Sequence, residues 1–240
     1  MKRAFWMAMP LLLLVYGSSW SQEPLAVTAY YLVTDSTIAT EDAGDWAAAA
    51  EMTAKAHAEH AQGNVFATYR LLTGGPDETV RVFFPLEKMA ELDEWASNRE
   101  ILFETVGKDR GQLVLEDLEL TRESTERIVS YSEKLSRPRR LTAAPKLLWA
   151  VEVEVEEGSM TEFAALATRV KKAHEQSDNG QNWRVYGNAI GGSSSKLTYY
   201  YSFDDFASLD EWPSQMQVLT EAYGEEEAAR LSAAIDSLAR

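Results

Sequence analysis

Polar and ionisable side chains alternate with apolar ones in two segments of the second half of the sequence. Arg184, Tyr186 and Asn188 occupy every second position of one segment, and Tyr200 lies in a similar pattern in the next. This alternation is typical of β-strands, in which successive side chains point to opposite faces of the sheet. If the sheet curls, its polar face encloses a pocket whose cation, phenols and amide could bind a small molecule.

Three more residues belong to this predicted pocket by the same reasoning. Glu152 alternates with apolar residues in an upstream segment, and Tyr69 and Arg81 occupy the matching places in the first half of the chain. The alternative is that this face of the sheet is exposed to solvent and that these polar side chains are ordinary surface residues. No nucleophile, base and orienting residue can be read from the spacing, so no catalytic residue is predicted. The candidate ligand-binding residues are Glu152, Arg184, Tyr186, Asn188, Tyr200, Tyr69 and Arg81.

Histidines are candidates of second rank. His57 and His174 each fall near the end of a predicted helix, where an imidazole can contact terminal carbonyls and a protonated ring is favoured by the helix dipole. A catalytic base or a metal ligand is the alternative, since histidine titrates near neutral pH. His57 and His60 are three residues apart, but no third ligand accompanies them. We therefore predict neither a metal site nor a cofactor.

Composition narrows the class of protein. The 240 residues include 38 acidic and 23 basic side chains, for a formal net charge of −15. Nucleic-acid binding is excluded as the default, because phosphate recognition needs clustered lysine and arginine. The chain contains no cysteine, which removes disulfides, thiolate nucleophiles and cysteine-bound metals. A hydrophobic fraction of 45% is enough for packed globular cores.

The amino terminus is typical of an export signal. Lys2 and Arg3 precede an apolar run, and small residues at Ser19 and Ser21 favour cleavage before Gln22. The apolar run is short for a membrane span, although an uncleaved anchor is the alternative. We predict a signal peptide over residues 1–21, a periplasmic or secreted bacterial protein, and no membrane association after cleavage.

The sequence repeats itself after 117 residues. Leu92-Asp93-Glu94-Trp95 recurs as Leu209-Asp210-Glu211-Trp212, and the same offset maps Lys55-Ala56-His57 onto Lys172-Ala173-His174. The register holds without a gap from about residue 46 to residue 107. A shared tetrapeptide alone can arise by chance, but a constant offset over this length indicates a duplicated unit.

Periodicity predicts the elements inside each copy. The first copy has strands over 26–34, 64–73, 79–85 and 124–132, with a helix over 43–62. The second copy has the same order and ends in a long helix over about 218–238, while its last strand would fall beyond Arg240. This order of strands and helices is that of a ferredoxin-like unit.

Two such units can cover each other's bare sheet faces. We therefore predict an α+β protein in which tandem ferredoxin-like repeats form an intrachain pseudo-dimeric α+β barrel. The repeats span residues 25–136 and 146–240, joined by a linker over 137–145. The alternative is that the two repeats form separate domains that do not pack on each other. Without its last strand, the second repeat exposes an edge through which the chain could form a homodimer.

The chain resembles the dimeric α/β-barrel superfamily, which includes antibiotic-biosynthesis-monooxygenase-like and NIPSNAP-like domains, and most of all its exported bacterial members. The resemblance covers most of residues 25–240 and implies a fold more specifically than an activity. In relatives of this type a histidine can contact haem. The residues that carry the resemblance are Ala173-His174, Trp183, Tyr186, Gly191-Gly192, Leu209 and Tyr223-Gly224.

Three functions are compatible with these observations. The favoured interpretation is a binding or structural module of the cell envelope that accepts a small hydrophobic or aromatic ligand. The second, implied by the resemblance, is a cofactor-independent monooxygenase-like or haem-degrading enzyme that would use Tyr186, Arg184 and His174. The third is an interaction protein that pairs through its open sheet edge.

Overall fold

The computed structural model describes residues 12–16, 28–61, 63–64, 66–71, 78–138, 145–177 and 181–239. The predicted signal peptide lies outside these ranges except for residues 12–16, and so does most of the predicted linker. Within the described ranges, no helix has both the length and the hydrophobicity needed to cross a membrane.

Among the described residues, the first half of the chain contains five strands and three α-helices, with a short 3₁₀ helix after the fourth strand. Their order is β1 (Leu12–Tyr16), β2 (Tyr30–Ile38), α1 (Ala43–Glu59), β3 (Ala67–Leu71), β4 (Glu78–Leu86), the 3₁₀ helix Met89–Glu94, α2 (Asn98–Val106), α3 (Lys108–Leu118) and β5 (Thr121–Tyr131).

The second half follows the same order from β2 onward, up to its last helix. Shifted by 117 positions, α1 and α2 would span residues 160–176 and 215–223, and helices are observed over 160–177 and 215–223. The elements are β6 (Leu147–Glu154), α4 (Met160–Ser177), β7 (Trp183–Ile190), β8 (Lys196–Phe203), α5 (Ala207–Asp210), α6 (Gln215–Tyr223) and α7 (Glu225–Leu238).

Helix boundaries also correspond between the two halves. The hydroxyls of Ser97 and Ser214 accept hydrogen bonds from the first-turn amides of α2 and α6, which satisfies donors that a helix start leaves free. Gly107 and Gly224 follow these helices with φ of 86° and 82°, a conformation that favours glycine. The single long helix predicted over 218–238 is therefore wrong, because the chain turns at Gly224 and starts a new helix.

One antiparallel sheet organises the molecule. Seven strands follow the order β3-β4-β2-β5-β7-β8-β6, and the sheet curls so that β1 pairs with both edge strands, β3 and β6. The α+β class and the barrel-like sheet predicted from the sequence are confirmed. The place of β1 between β3 and β6 matches that of β5 between β2 and β7, so β1 takes the place in the second half of the barrel that β5 takes in the first.

The first predicted strand was placed four residues too early. The prediction covered 26–34, whereas β2 spans Tyr30–Ile38. Its second half contains Asp35, Ser36 and Thr37, which broke the apolar pattern that the prediction used. These residues form a strand because β4 and β5 pair with them on both sides, and tertiary pairing outweighs local strand propensity.

The helices cover the outer face of the sheet, while aromatic side chains fill its inner face. Phe163 on α4 packs on Trp183 and Val185 of β7. Another core forms among α1, α2 and α3 around Ile101 and Leu102. The inner cluster is composed of Tyr31, Val33, Ala67, Tyr69, Phe83, Val129, Leu148, Ala150, Tyr186 and Tyr200.

Because β1 closes the barrel, removal of residues 1–21 leaves β3 and β6 as two unpaired edges. We expect this truncation to lower the melting temperature and to promote self-association, since exposed edges pair with other chains. Differential scanning calorimetry and sedimentation velocity would measure both effects. Removal of residues 1–11 alone, which retains β1, is the control. A truncated chain that stays monomeric with an unchanged melting temperature would contradict this role for β1.

Candidate functional site

A small cavity lies inside one end of the barrel. It encloses about 20 Å³, room for one water molecule, and it is partly open to solvent. Its walls are mostly apolar, with one charged residue among them. The lining residues are Tyr31, Phe83, Val129, Leu148, Arg184, Tyr186, Tyr200 and Ser202.

Arg184 is the charged residue of this cavity. It lies on β7 opposite Tyr200 of β8, and only 9% of its surface is exposed. Within the described part of the chain, Arg184 forms neither an ion pair nor a hydrogen bond. Its nearest electrostatic neighbours are the phenols of Tyr31 and Tyr186, which are uncharged near neutral pH. The cavity therefore holds a cation without a compensating carboxylate among the described residues.

Half of the residues that line the cavity are aromatic. The rings of Tyr31 and Tyr186 meet edge to face with centroids 5.4 Å apart, and those of Tyr186 and Tyr200 are 6.0 Å apart. Burial raises the pKa of Tyr31 and of Tyr186, and the charge of Arg184 offsets only part of this effect. Both phenols therefore stay protonated near neutral pH. The Tyr186 hydroxyl is buried without a hydrogen-bond partner in the described structure.

The other end of the barrel is ionic. Two arginines share one carboxylate: Arg81 binds Asp35 through Nε at 2.5 Å and Nη2 at 2.9 Å, and Arg127 donates from Nη1 at 2.7 Å. Burial alone would raise the pKa of Asp35, but the hydrogen bonds and charges of both arginines outweigh burial and lower it. Charge-assisted, bidentate contacts of this kind are among the stronger polar interactions in proteins.

Glu152 belongs to the same ionic end. Its carboxylate lies 2.5 Å from the Lys196 Nζ and 3.6 Å from the Arg81 Nη2. Burial would raise its pKa, but the hydrogen bond from Lys196 and the nearby arginine charges lower it. Arg81 also donates from Nη1 to the Tyr200 hydroxyl at 3.0 Å. Tyr200 thus connects the ionic end of the barrel to the cavity.

The structure separates the predicted pocket residues into groups. It brings together Arg184, Tyr186 and Tyr200, but the expectation that Glu152 joins them is wrong, because Glu152 is held by Lys196 and Arg81 at the opposite end. Arg81 is likewise part of the ionic group.

Two further candidates also lie away from the cavity lining. The Asn188 side chain donates to the Ser193 carbonyl in the hairpin loop, at 3.0 Å. Tyr69 packs in the inner core, where its hydroxyl donates to the Pro145 carbonyl at 3.4 Å. A strand pattern can indicate which face a residue is on, but the height along the barrel depends on strand register.

His57 has its two ring nitrogens engaged by the protein. The backbone amide of Asn64 donates to Nδ1 at 3.1 Å, so Nε2 carries the proton and donates to Asn98 Oδ1 at 2.9 Å. Burial lowers the pKa of His57, with a smaller opposing effect from Asn98, and the ring is neutral at pH 7. His60 instead contacts Glu104 at 3.0 Å. Among the described residues, no group of three or more potential ligands could hold a metal ion.

His174 occupies the position of His57 in the second half. It is 5% exposed, and its ring stands edge to face against Trp183, with centroids 5.1 Å apart. Trp183 points to the outer face of the sheet, where α4 packs, and not into the cavity. Both second-rank histidines therefore lie in helix-to-sheet packing.

Three charged residues of the interior were absent from the candidates predicted from sequence: Asp35, Arg127 and Lys196. Asp35 follows Tyr31 and Val33 at alternate positions, so the correct end of β2 would have placed it on the inner face. Arg127 precedes Val129 and Tyr131 in the same way. The ion pair between Asp35 and Arg127 could not be predicted from the sequence, because 92 residues separate the two partners.

Solved structures share this fold at low sequence identity. A candidate monooxygenase from Lactobacillus acidophilus aligns over 88% of this chain and 89% of its own, with 10% identity and a TM-score of 0.51. Another from Fusobacterium nucleatum aligns over 88% of both chains, with 10% identity and a TM-score of 0.50. At this identity the likeness shows the fold alone.

A chlorite dismutase from Candidatus Nitrospira defluvii aligns over 83% of this chain and 86% of its own, with 11% identity and a TM-score of 0.41. Overlap at this level carries no argument about the site. No protein-family model and no curated protein matches the sequence.

The Asp35 carboxylate can be tested through acid stability. Asp35→Asn leaves Arg81 and Arg127 without their shared counter-charge, and removing one partner of a buried ion pair typically costs about 3–5 kcal/mol. Because the pKa of Asp35 is lowered by folding, its contribution is complete above the unfolded pKa and is lost as the pH falls through the folded pKa. We therefore expect the variant to be less stable at pH 7 and to show a shallower loss of stability on acidification.

Urea unfolding at pH values from 7 down to 3 would measure this effect. Glu41→Gln is the matched control, because Glu41 pairs with Arg122 on the exposed surface and such pairs contribute about 0–1 kcal/mol. Equal stability of Asp35→Asn and the control across this range would show that the interior pair does not stabilise the barrel.

Proposed function

We propose that the protein binds a compact aromatic molecule at the cavity end of its barrel. The observation that carries the proposal is a partly open cavity whose wall consists of aromatic rings, aliphatic side chains and a single buried guanidinium. Apolar walls with a few convergent polar groups are the usual composition of a small-molecule site. The opposite end of the barrel has its carboxylates already paired with cations and is a weaker candidate for a ligand.

The small enclosed volume of the cavity limits which part of the ligand can enter it. The enclosed part accommodates only a group of about the size of a water molecule, so the ring of the ligand would occupy the outer, open part. Edge-to-face contacts with Tyr31 and Phe83 would hold the ring, because these two residues already pack on each other in that geometry. Ser202 lines the cavity and is partly exposed, so a larger side chain at this position would take up the space that a ligand needs.

A cofactor-independent monooxygenase-like activity is the second candidate. Its support is the fold that the chain shares with two candidate monooxygenases, and fold likeness is weak evidence for chemistry. The haem-degrading version has less support, because the His57 nitrogens are bonded within the protein and His174 packs against Trp183. We therefore favour ligand binding over either enzymatic activity.

We also propose that the two halves are tandem ferredoxin-like copies over residues 25–136 and 146–240. The support is the constant offset of 117 residues, which relates the helices and their capping serines as well as the sequence motifs. Export to the cell envelope, with residues 1–21 as a signal peptide, remains a proposal. Cleavage before Gln22 would remove β1 and leave the edges of β3 and β6 unpaired. A second copy of the chain could then pair with one of these edges, as the predicted homodimer requires.

Native mass spectrometry can test the binding function. Purified protein would be incubated with phenol, indole, benzoate and cyclohexanol, and we expect the aromatic compounds to form one-to-one complexes more readily than cyclohexanol. Ser202→Phe should reduce complex formation at least tenfold by filling the opening. Ser194→Phe, which adds the same ring in an exposed turn, is the control. Equal complex formation by both variants would place binding elsewhere and contradict the proposal.

A further inference from the structure

The interior charges of the barrel are distributed unevenly. Asp35 and Glu152, two carboxylates on the inner face, are both bound by cations at the ionic end. Arg184 lies beyond Tyr200 at the cavity end, and none of these carboxylates forms an ion pair with it. A buried charge without a counter-ion is strongly unfavourable, so natural proteins seldom keep one without a use.

The groups around Arg184 are complementary to an anion. Tyr31 and Tyr186 are neutral phenols, and Tyr200 and Ser202 also line the cavity. Burial raises the pKa of the first two, so they keep their protons as hydrogen-bond donors over the physiological range. A cationic ligand would be repelled by Arg184, and a neutral ligand would leave its charge uncompensated. A carboxylate can pair with the guanidinium in two parallel hydrogen bonds.

The shape of the cavity favours the same ligand. Only a small group enters the enclosed part, and four of the residues that line this partly open cavity are aromatic. A carboxylate attached directly to a planar ring satisfies both conditions, because the charged group reaches Arg184 and the ring stays among the aromatic side chains. The Tyr186 hydroxyl, which lacks a partner among the described residues, would gain one from the bound oxyanion.

From these three observations we infer that the cavity selects compact aromatic carboxylic acids and that Arg184 is the residue that determines this selectivity. The inference rests on the proposed binding function and specifies its ligand class. A bound carboxylate would give Arg184 the ion-pair partner that it lacks among the described residues.

The test compares benzoate with benzamide, a neutral molecule of nearly the same shape. Isothermal titration calorimetry with the full chain should show benzoate binding about 10- to 100-fold more tightly than benzamide, the range expected for charge-assisted hydrogen bonds. Arg184→Met, which keeps the length of the side chain, should abolish this preference. Arg122→Met removes an exposed charge from β5 and should leave the preference intact.

Thermal unfolding without ligand separates a binding role for Arg184 from a structural one. Removing an uncompensated buried charge should leave the melting temperature of Arg184→Met equal to or above that of the wild type. A clear decrease would indicate a structural role and would contradict the inference.

The outcomes also separate the inference from the proposed function. Equal binding of benzoate and benzamide that Arg184→Met does not change, but Ser202→Phe blocks, would overturn the ligand class and leave the aromatic site standing. Failure of benzoate, benzamide, phenol and indole alike to bind would overturn both.

Discussion

Every strand edge of a curled sheet needs a partner, and this requirement shapes the whole molecule. The seven strands from β3 to β6 leave two edges facing each other, and β1 pairs with both. Unpaired backbone groups at those edges would otherwise meet water or another chain. Closure also creates the interior in which the aromatic and charged side chains meet. The segment that completes the barrel is the one whose sequence is typical of a signal peptide, so its retention or removal would determine whether the sheet is closed.

The interior is divided by Tyr200 into two environments. On one side, Asp35 pairs with Arg81 and Arg127, and Glu152 pairs with Arg81 and Lys196. On the other side, Arg184 faces aromatic rings and a partly open cavity. Paired charges stabilise an architecture, whereas an unpaired charge beside open space is available to a ligand. This asymmetry is why the cavity end, and not the more polar ionic end, is the site proposed for binding.

Sequence reasoning succeeded where the signal was local and periodic. The alternation around Arg184, Tyr186 and Tyr200 placed these residues on the correct face, and the helices beginning near residues 43 and 160 were found from their spacing. It failed where a residue's place depended on partners far along the chain. Glu152 has the correct face but the wrong end of the barrel, because strand register sets height and register depends on pairing.

The amino-acid sequence by itself determined the α+β class, the offset of 117 residues between the two halves and the inward face of most candidate residues. These properties follow from periods of two and 3.6 residues and from identity at a fixed spacing, all of which can be read along one chain. Only the tertiary structure decided that β1 closes the barrel, that Asp35 pairs with two arginines and that Arg184 has no carboxylate beside it in the described chain. Those outcomes depend on which strands become neighbours in space, because charges compensate one another only at contact distance.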